Sequence, residues 1–154
     1  MFTFTLLLSF AVILIDQVIK FFAFSHLKYI ESIKLMNGIV ELVYLENRGV
    51  AFGIFENWHL FFVILIPIII ATFLIIIKKV NINSVLFSLS SALIIGGGIG
   101  NLIDRIIRGY VIDYIRLSFF SPVCNFADYC ISVGTALLII YILFFHKKSL
   151  SKTT

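Results

Sequence analysis

The sequence predicts a mainly α-helical membrane protein: four transmembrane helices, a small β-sheet outside the bilayer and an interfacial segment. Of its 154 residues 61% are hydrophobic and 13% charged, and the mean hydropathy is +1.12. A soluble domain could not cover its surface with so few polar groups. Four stretches are apolar over the roughly 20 residues that one crossing of hydrocarbon needs: Phe2 to Phe24, Trp58 to Ile77, Val85 to about Ile103, and Ala127 to Phe145. They leave no room for a second globular unit, so residues 1–154 read as a single polytopic domain with connections at 25–57 and 104–126.

The first stretch resembles a secretory signal in length. No Lys or Arg opens it, no A-x-A site follows, and DQVIK stands where a signal sequence would be finishing, so it is expected to be a retained helix. In the connection after it, SIKLMNGIVELVYLENRGVAFGIF, Asn37-Gly38 is a two-residue hairpin signal between β-branched and aromatic flanks. A sheet there should bury Ile39, Val43 and Leu45 or the alternate set. Lys78 and Lys79 fill the tight turn between the second and third helices, and His146, Lys147, Lys148 and Lys152 follow the fourth. Both basic groups, and with them both termini, should be cytoplasmic.

The third helix carries GGGIG, where Gly96 and Gly100 form a GxxxG pair. On their own these glycines read as close helix packing. After them Asn101, Asp104, Arg105 and Arg108 stand at helical spacings that make one polar stripe. The next connection mixes Arg116 with Phe119 and Phe120, as an interfacial segment would, and Pro122 should end any helix in it.

This topology sends the unusual polar residues to one membrane face: Asp16 and Lys20, Asn47 and Arg48, Asn101, Asp104 and Arg105, then Asn125 and Asp128. All four aspartates, Asp16, Asp104, Asp113 and Asp128, lie in or beside apolar stretches, whereas the glutamates lie in ordinary polar sequence. An ionisable group near lipid points first to function. Asp16 and Lys20, four apart with the acid first, suit an intrahelical ion pair that neutralises itself, and they are read as support for a site. A Lys20–Ser25 peptidase dyad would need a contact at a poor helical offset. Asp113 and Asp128, fifteen residues apart, are the pair for chemistry: two carboxyls held close cannot both ionise easily, which leaves one acid and one base at the same pH. The ionised member can activate water while the other polarises a scissile carbonyl and supplies a proton to the leaving nitrogen.

Other chemistries have less support. The net charge of +4 is scattered or gathered at membrane edges, so anionic lipid headgroups and not nucleic acid are the expected counterpart. Cys124 and Cys130 suit packing better than pairing. His26, His59 and His146 lack metal-ligand spacing. A transporter with an Asp/Lys proton or substrate path is the alternative, but it predicts polar groups at the midplane on several helices, and many such folds carry internal repeats. A presenilin-like protease would need Asp where Asn101 follows Gly98-Ile99-Gly100, and a membrane scaffold would leave the aspartates without purpose.

Four blocks, DQVIK, ENRGVAFGIF, GGGIGNLIDRIIRGYVIDY and NFADYCISVG, resemble in order and spread the lipoprotein signal peptidases, the signal peptidase II family of bacterial cytoplasmic membranes. The resemblance implies four transmembrane helices, an extracytoplasmic β-cradle, and an aspartic endopeptidase with Asp113 and Asp128 as its dyad. It places Asn47, Asn101, Arg105 and Asn125 on the family's polar active-site positions, Asp16 and Lys20 on its first-helix motif, and Asp104 on a more structural position. The implied substrates are prolipoproteins cut before a diacylglyceryl-modified cysteine. Membrane lipids are the other expected partners, a monomer is expected, and no metal or organic cofactor is implied. Two positions depart from the family's pattern: Cys124 stands where an aromatic residue is usual, and Tyr129 where a small one is. Val50, Phe52 and Ile54, beside Asn47, are candidates to clamp the substrate.

Overall fold

The computed structural model describes residues 1–49, 59–80 and 82–145. Val50, Phe52, Ile54 and the basic residues after the fourth helix lie outside the described residues. Four long helices, α1 (Phe2–Leu27), α2 (His59–Val80), α3 (Val85–Arg108) and α4 (Phe126–Phe144), are each apolar and long enough to cross a bilayer. A four-stranded antiparallel sheet, β1 (Ile33–Leu35), β2 (Val40–Asn47), β3 (Val111–Leu117) and β4 (Phe120–Cys124), lies at one end of the bundle in the order β1-β2-β3-β4.

Helix α3 is the centre of the bundle, and its glycines show why. A Cβ at Gly96 would meet the Val12 side chain of α1 at 2.7 Å, and one at Gly97 would strike the Ala127 carbonyl of α4. At Gly100 it would run into the Asp16 carboxylate. Missing side chains let α3 press against both neighbours. Helix α2 is attached loosely, with only 6% of its apolar window buried against the protein.

The structure departs from the expected boundaries at the sheet end. Helix α3 runs past Ile103 to Arg108 and ends at Gly109, whose φ of 80° and N–H bonded to the Arg105 carbonyl close it in the left-handed conformation. Asp104, Arg105 and Arg108 are therefore helical, as their spacing required, and the connection starts only after them. The expected interfacial segment is a hairpin that supplies half the sheet, because the alternation of Val111 to Leu117 pairs it with β2. Pro122 sits inside β4, an edge strand, where a missing N–H is tolerated. The Asn37-Gly38 turn is also wider than two residues: Leu35 pairs with Val40 across a short 3-10 turn in which Met36, Asn37 and Gly38 all have positive φ.

Both faces of the sheet are used. Ile112 and Tyr114 of β3 join Ala23 and Leu27 of α1 in a buried cluster with Leu42 and Tyr44 packed against it. Of the expected set only Val43 is buried, while Ile39 and Leu45 are exposed. A break in register between Leu42 and Leu45 disturbs the strict alternation that either set required.

Candidate active site

The strands and helices meet around two carboxylates. In β3 the side chains alternate, so with Ile112 and Tyr114 turned to α1, Asp113 faces the opposite way. Asn47 of β2 pairs with Val111, two positions from Asp113, so the two side chains share a face. The Asn47 amide donates to Asp113 Oδ2 at 2.7 Å.

Asp128 is positioned by a local rule. Asn125 is the N-cap of α4 and its side chain accepts from the Asp128 N–H at 3.0 Å, while Asp128 Oδ2 accepts from the Asn125 N–H at 3.1 Å. This reciprocal capping box sets Asp128 as the third helical residue. The same Asn125 donates its amide to Asp113 Oδ1 at 2.6 Å, so one side chain spans both carboxyls. Asn101 of α3 completes the set by donating to Asp128 Oδ1 at 2.8 Å. Each of the four carboxylate oxygens thus accepts an N–H from Asn47, Asn101 or Asn125.

Asp113 and Asp128 line a cavity of about 240 Å³ together with Asn101, Arg105, Cys124 and Phe120, polar and roomy enough to hold water. Asp113 is 1% exposed, whereas Asp128 is half-buried. Burial, and next the charge of Asp128, push the Asp113 carboxyl up to about 7, against the lowering effect of the Asn47 and Asn125 amides. The Cys124 thiol is pushed up to about 11, by burial first and then by both aspartates, so at neutral pH it is no thiolate nucleophile. Tyr129 is exposed and does not line the cavity.

Behind Asn101 lies a buried charge cluster. Lys20 Nζ is 2.9 Å from Asp16 Oδ2, 3.0 Å from Asp104 Oδ2 and 2.8 Å from Asn101 Oδ1, so all three of its donors are used. Asp16 also accepts from the Ala127 N–H at the start of α4, and Asp104 from Arg108 and from the Ile112 N–H at the start of β3. The Lys20–Ser25 pairing fails because these partners saturate Lys20 inside the protein while Ser25 is exposed on α1. The single polar stripe on α3 also divides. Asn101 and Arg105 line the cavity, while Asp104 and Arg108 pair with each other on the side of Lys20.

The geometry also brings in residues that motif spacing did not mark. Tyr114 accepts the Phe126 N–H at 3.1 Å, and Gln17 donates to the Gly100 carbonyl at 3.1 Å. The Asn125-x-x-Asp128 capping box is a local pattern that the reading of the sequence did not use. The role of Tyr114 was not legible there, since it depends on β3 crossing the start of α4.

A small antiparallel sheet and two carboxylates are set on a bundle of four helices long and apolar enough to cross a bilayer, and comparison with known proteins gives the class, a membrane aspartic peptidase. A family model described as signal peptidase (SPase) II matches residues 8–144, and the chain belongs to that family, whose members remove signal peptides from prolipoproteins. It is 42% identical over 131 residues to the lipoprotein signal peptidase of Halothermothrix orenii, covering 85% of this chain and 89% of that protein. It is 42% identical over 137 residues to that of Clostridium tetani, covering 85% and 86%. The fold is similar to a bacterial membrane enzyme solved by the in meso method at 1.9 Å resolution, with a TM-score of 0.83, 28% identity, and 92% and 93% of the two chains covered.

Proposed function

We propose that Asp113 and Asp128 are the catalytic dyad of a lipoprotein signal peptidase that cuts its substrate before a diacylglyceryl-modified cysteine. The observation that carries this reading is the shared cavity: two carboxylates from different elements line it, and three asparagines hold all four of their oxygens. Asp113, buried and pushed up to about 7, carries the shared proton, polarises the scissile carbonyl and later protonates the leaving nitrogen. Asp128, at the N-terminus of α4, takes a proton from the attacking water. Arg105, 3.2 Å from the Asn101 carbonyl and 3.5 Å from that of Gly49, closes the cavity between α3 and the end of β2.

An adjoining apolar cavity of about 280 Å³, lined by Ile66, Ile70, Ile94 and Ile131, shares Asn101 and Arg105 with the catalytic one. The weak attachment of α2 makes this the side on which acyl chains can enter from lipid. Lys78 and Lys79, at the end of α2, support a cytoplasmic location for the helix ends opposite the sheet. The site then lies at the outer face, in a chain that works as a monomer of one domain.

The test is separate Asp113→Asn and Asp128→Asn substitution, with cleavage of a diacylglyceryl-modified prolipoprotein measured in membranes. Each variant should lose about 10²- to 10⁴-fold in turnover. Near-normal turnover in either one would remove the dyad assignment.

A further inference from the structure

An asparagine amide can face a carboxylate productively in only one of its two orientations, with N–H and not C=O toward it. In this site a fixed donor sets that orientation for each of the three asparagines. The Gly49 N–H bonds Asn47 Oδ1 at 3.0 Å, and the Asp128 N–H bonds Asn125 Oδ1 at 3.0 Å. Both are backbone groups, and both leave the amide nitrogen turned to Asp113. For Asn101 the oxygen receives the Lys20 ammonium at 2.8 Å and the Asn125 amide at 3.2 Å.

We infer that Lys20 is a positioning residue for the catalytic step: by donating to Asn101 Oδ1 it fixes the amide so that its N–H faces Asp128. An ammonium has no acceptor, so Lys20 can tolerate only the oxygen of Asn101, and the nitrogen is left for Asp128. The two aspartates beside Lys20 hold it in that pose from α1 and α3. The pose reaches the second carboxylate as well, because Asn101 Oδ1 also takes the Asn125 amide that bonds Asp113. The cluster thus delivers the donors that stabilise negative charge on the dyad, where a charge-assisted hydrogen bond matters most.

This inference rests on the dyad reading, and its test is separable from it. The charge-balanced pair Lys20→Met with Asp16→Asn removes the ammonium while leaving Asp104 paired with Arg108 at 2.6 Å. Loss of one oriented hydrogen bond to a carboxylate should lower kcat about 10- to 100-fold, with KM changed less than about threefold.

If Lys20 acts through Asn101, adding the pair to Asn101→Ala should cost nothing further in kcat. Asn101→Asp is the second probe. It keeps the acceptor for Lys20 but puts a carboxylate oxygen in place of the N–H toward Asp128, so a folded variant with kcat down by at least about 10-fold is expected. Independent losses that multiply, a loss carried by KM and not by kcat, or Asn101→Asp turning over within about threefold of the parent would each overturn the inference. Full activity of Asp113→Asn or Asp128→Asn would instead overturn the dyad itself.

Discussion

Thr5, Ser9, Ser90 and Ser91 at the far end of α1 and α3 are as buried as Asp16, Lys20, Asn101 and Asp104 near the sheet, yet the two groups find their partners differently. Each hydroxyl bonds a carbonyl of its own helix: Thr5 to Met1, Ser9 to Thr5, and both Ser90 and Ser91 to Phe87. At the sheet end Lys20 bonds Asn101 across 81 positions of sequence, and Asp16 bonds the Ala127 N–H across 111. A polar group satisfied within its own helix allows close packing and says nothing about which neighbour is correct. One that also needs partners across the fold favours a single register of helices and strands, because a slip keeps the pairs within α1 and within α3 but breaks the bonds that join them to each other, to β3 and to α4.

The hardest way to break the contrast is to remove one member of the charge cluster. Lys20→Met alone leaves Asp16 without its cation and should destabilise the protein by about 3–5 kcal/mol. Denaturation in detergent checks this, and adding Asp16→Asn should recover part of the loss.

A pH series sharpens the same point at the dyad. Folded Asp113 holds its proton up to about 7, against 3.8 for an ordinary aspartate. The unfolded chain therefore binds fewer protons between these values, and this group's contribution to stability is lost as pH rises through the window. Asp113→Asn abolishes that dependence. Relative to the parent, its stability should rise by on the order of 3 kcal/mol between pH 5 and pH 8, read as the difference in unfolding free energy at each pH.

The smallest effect belongs to the far end. Ser9→Ala with Ser91→Ala removes two hydroxyls and their local bonds together, so stability should change by no more than about 1 kcal/mol. Prolipoprotein turnover should stay within about twofold. A large loss in either would mean that these serines carry register information after all.

The same physical distinction separates what could be read from the chain and what could not. Apolar length and the glycine spacing on α3 are local properties, and the helices they predict are present with ends shifted by a few residues. The Asn125-x-x-Asp128 box is local as well. Residues 104–126 were harder to read. A run mixing Arg116 with Phe119 and Phe120 suits an interfacial segment as well as a strand, and only pairing with β2 makes it a hairpin. The division of the α3 stripe also needed α1 on one side and the sheet on the other, since helical spacing places Asn101, Asp104, Arg105 and Arg108 together.

Hydropathy and motif spacing are written along the chain, so the four helices long and apolar enough to cross a bilayer, the family and the candidate aspartates could all be read there. The tertiary structure decided which donor each carboxylate oxygen receives and which way each amide is turned. Those choices depend on groups from α1, α3, β2, β3 and α4 arriving at one place, and a hydrogen bond between residues 66 or 111 positions apart exists only once the fold has closed.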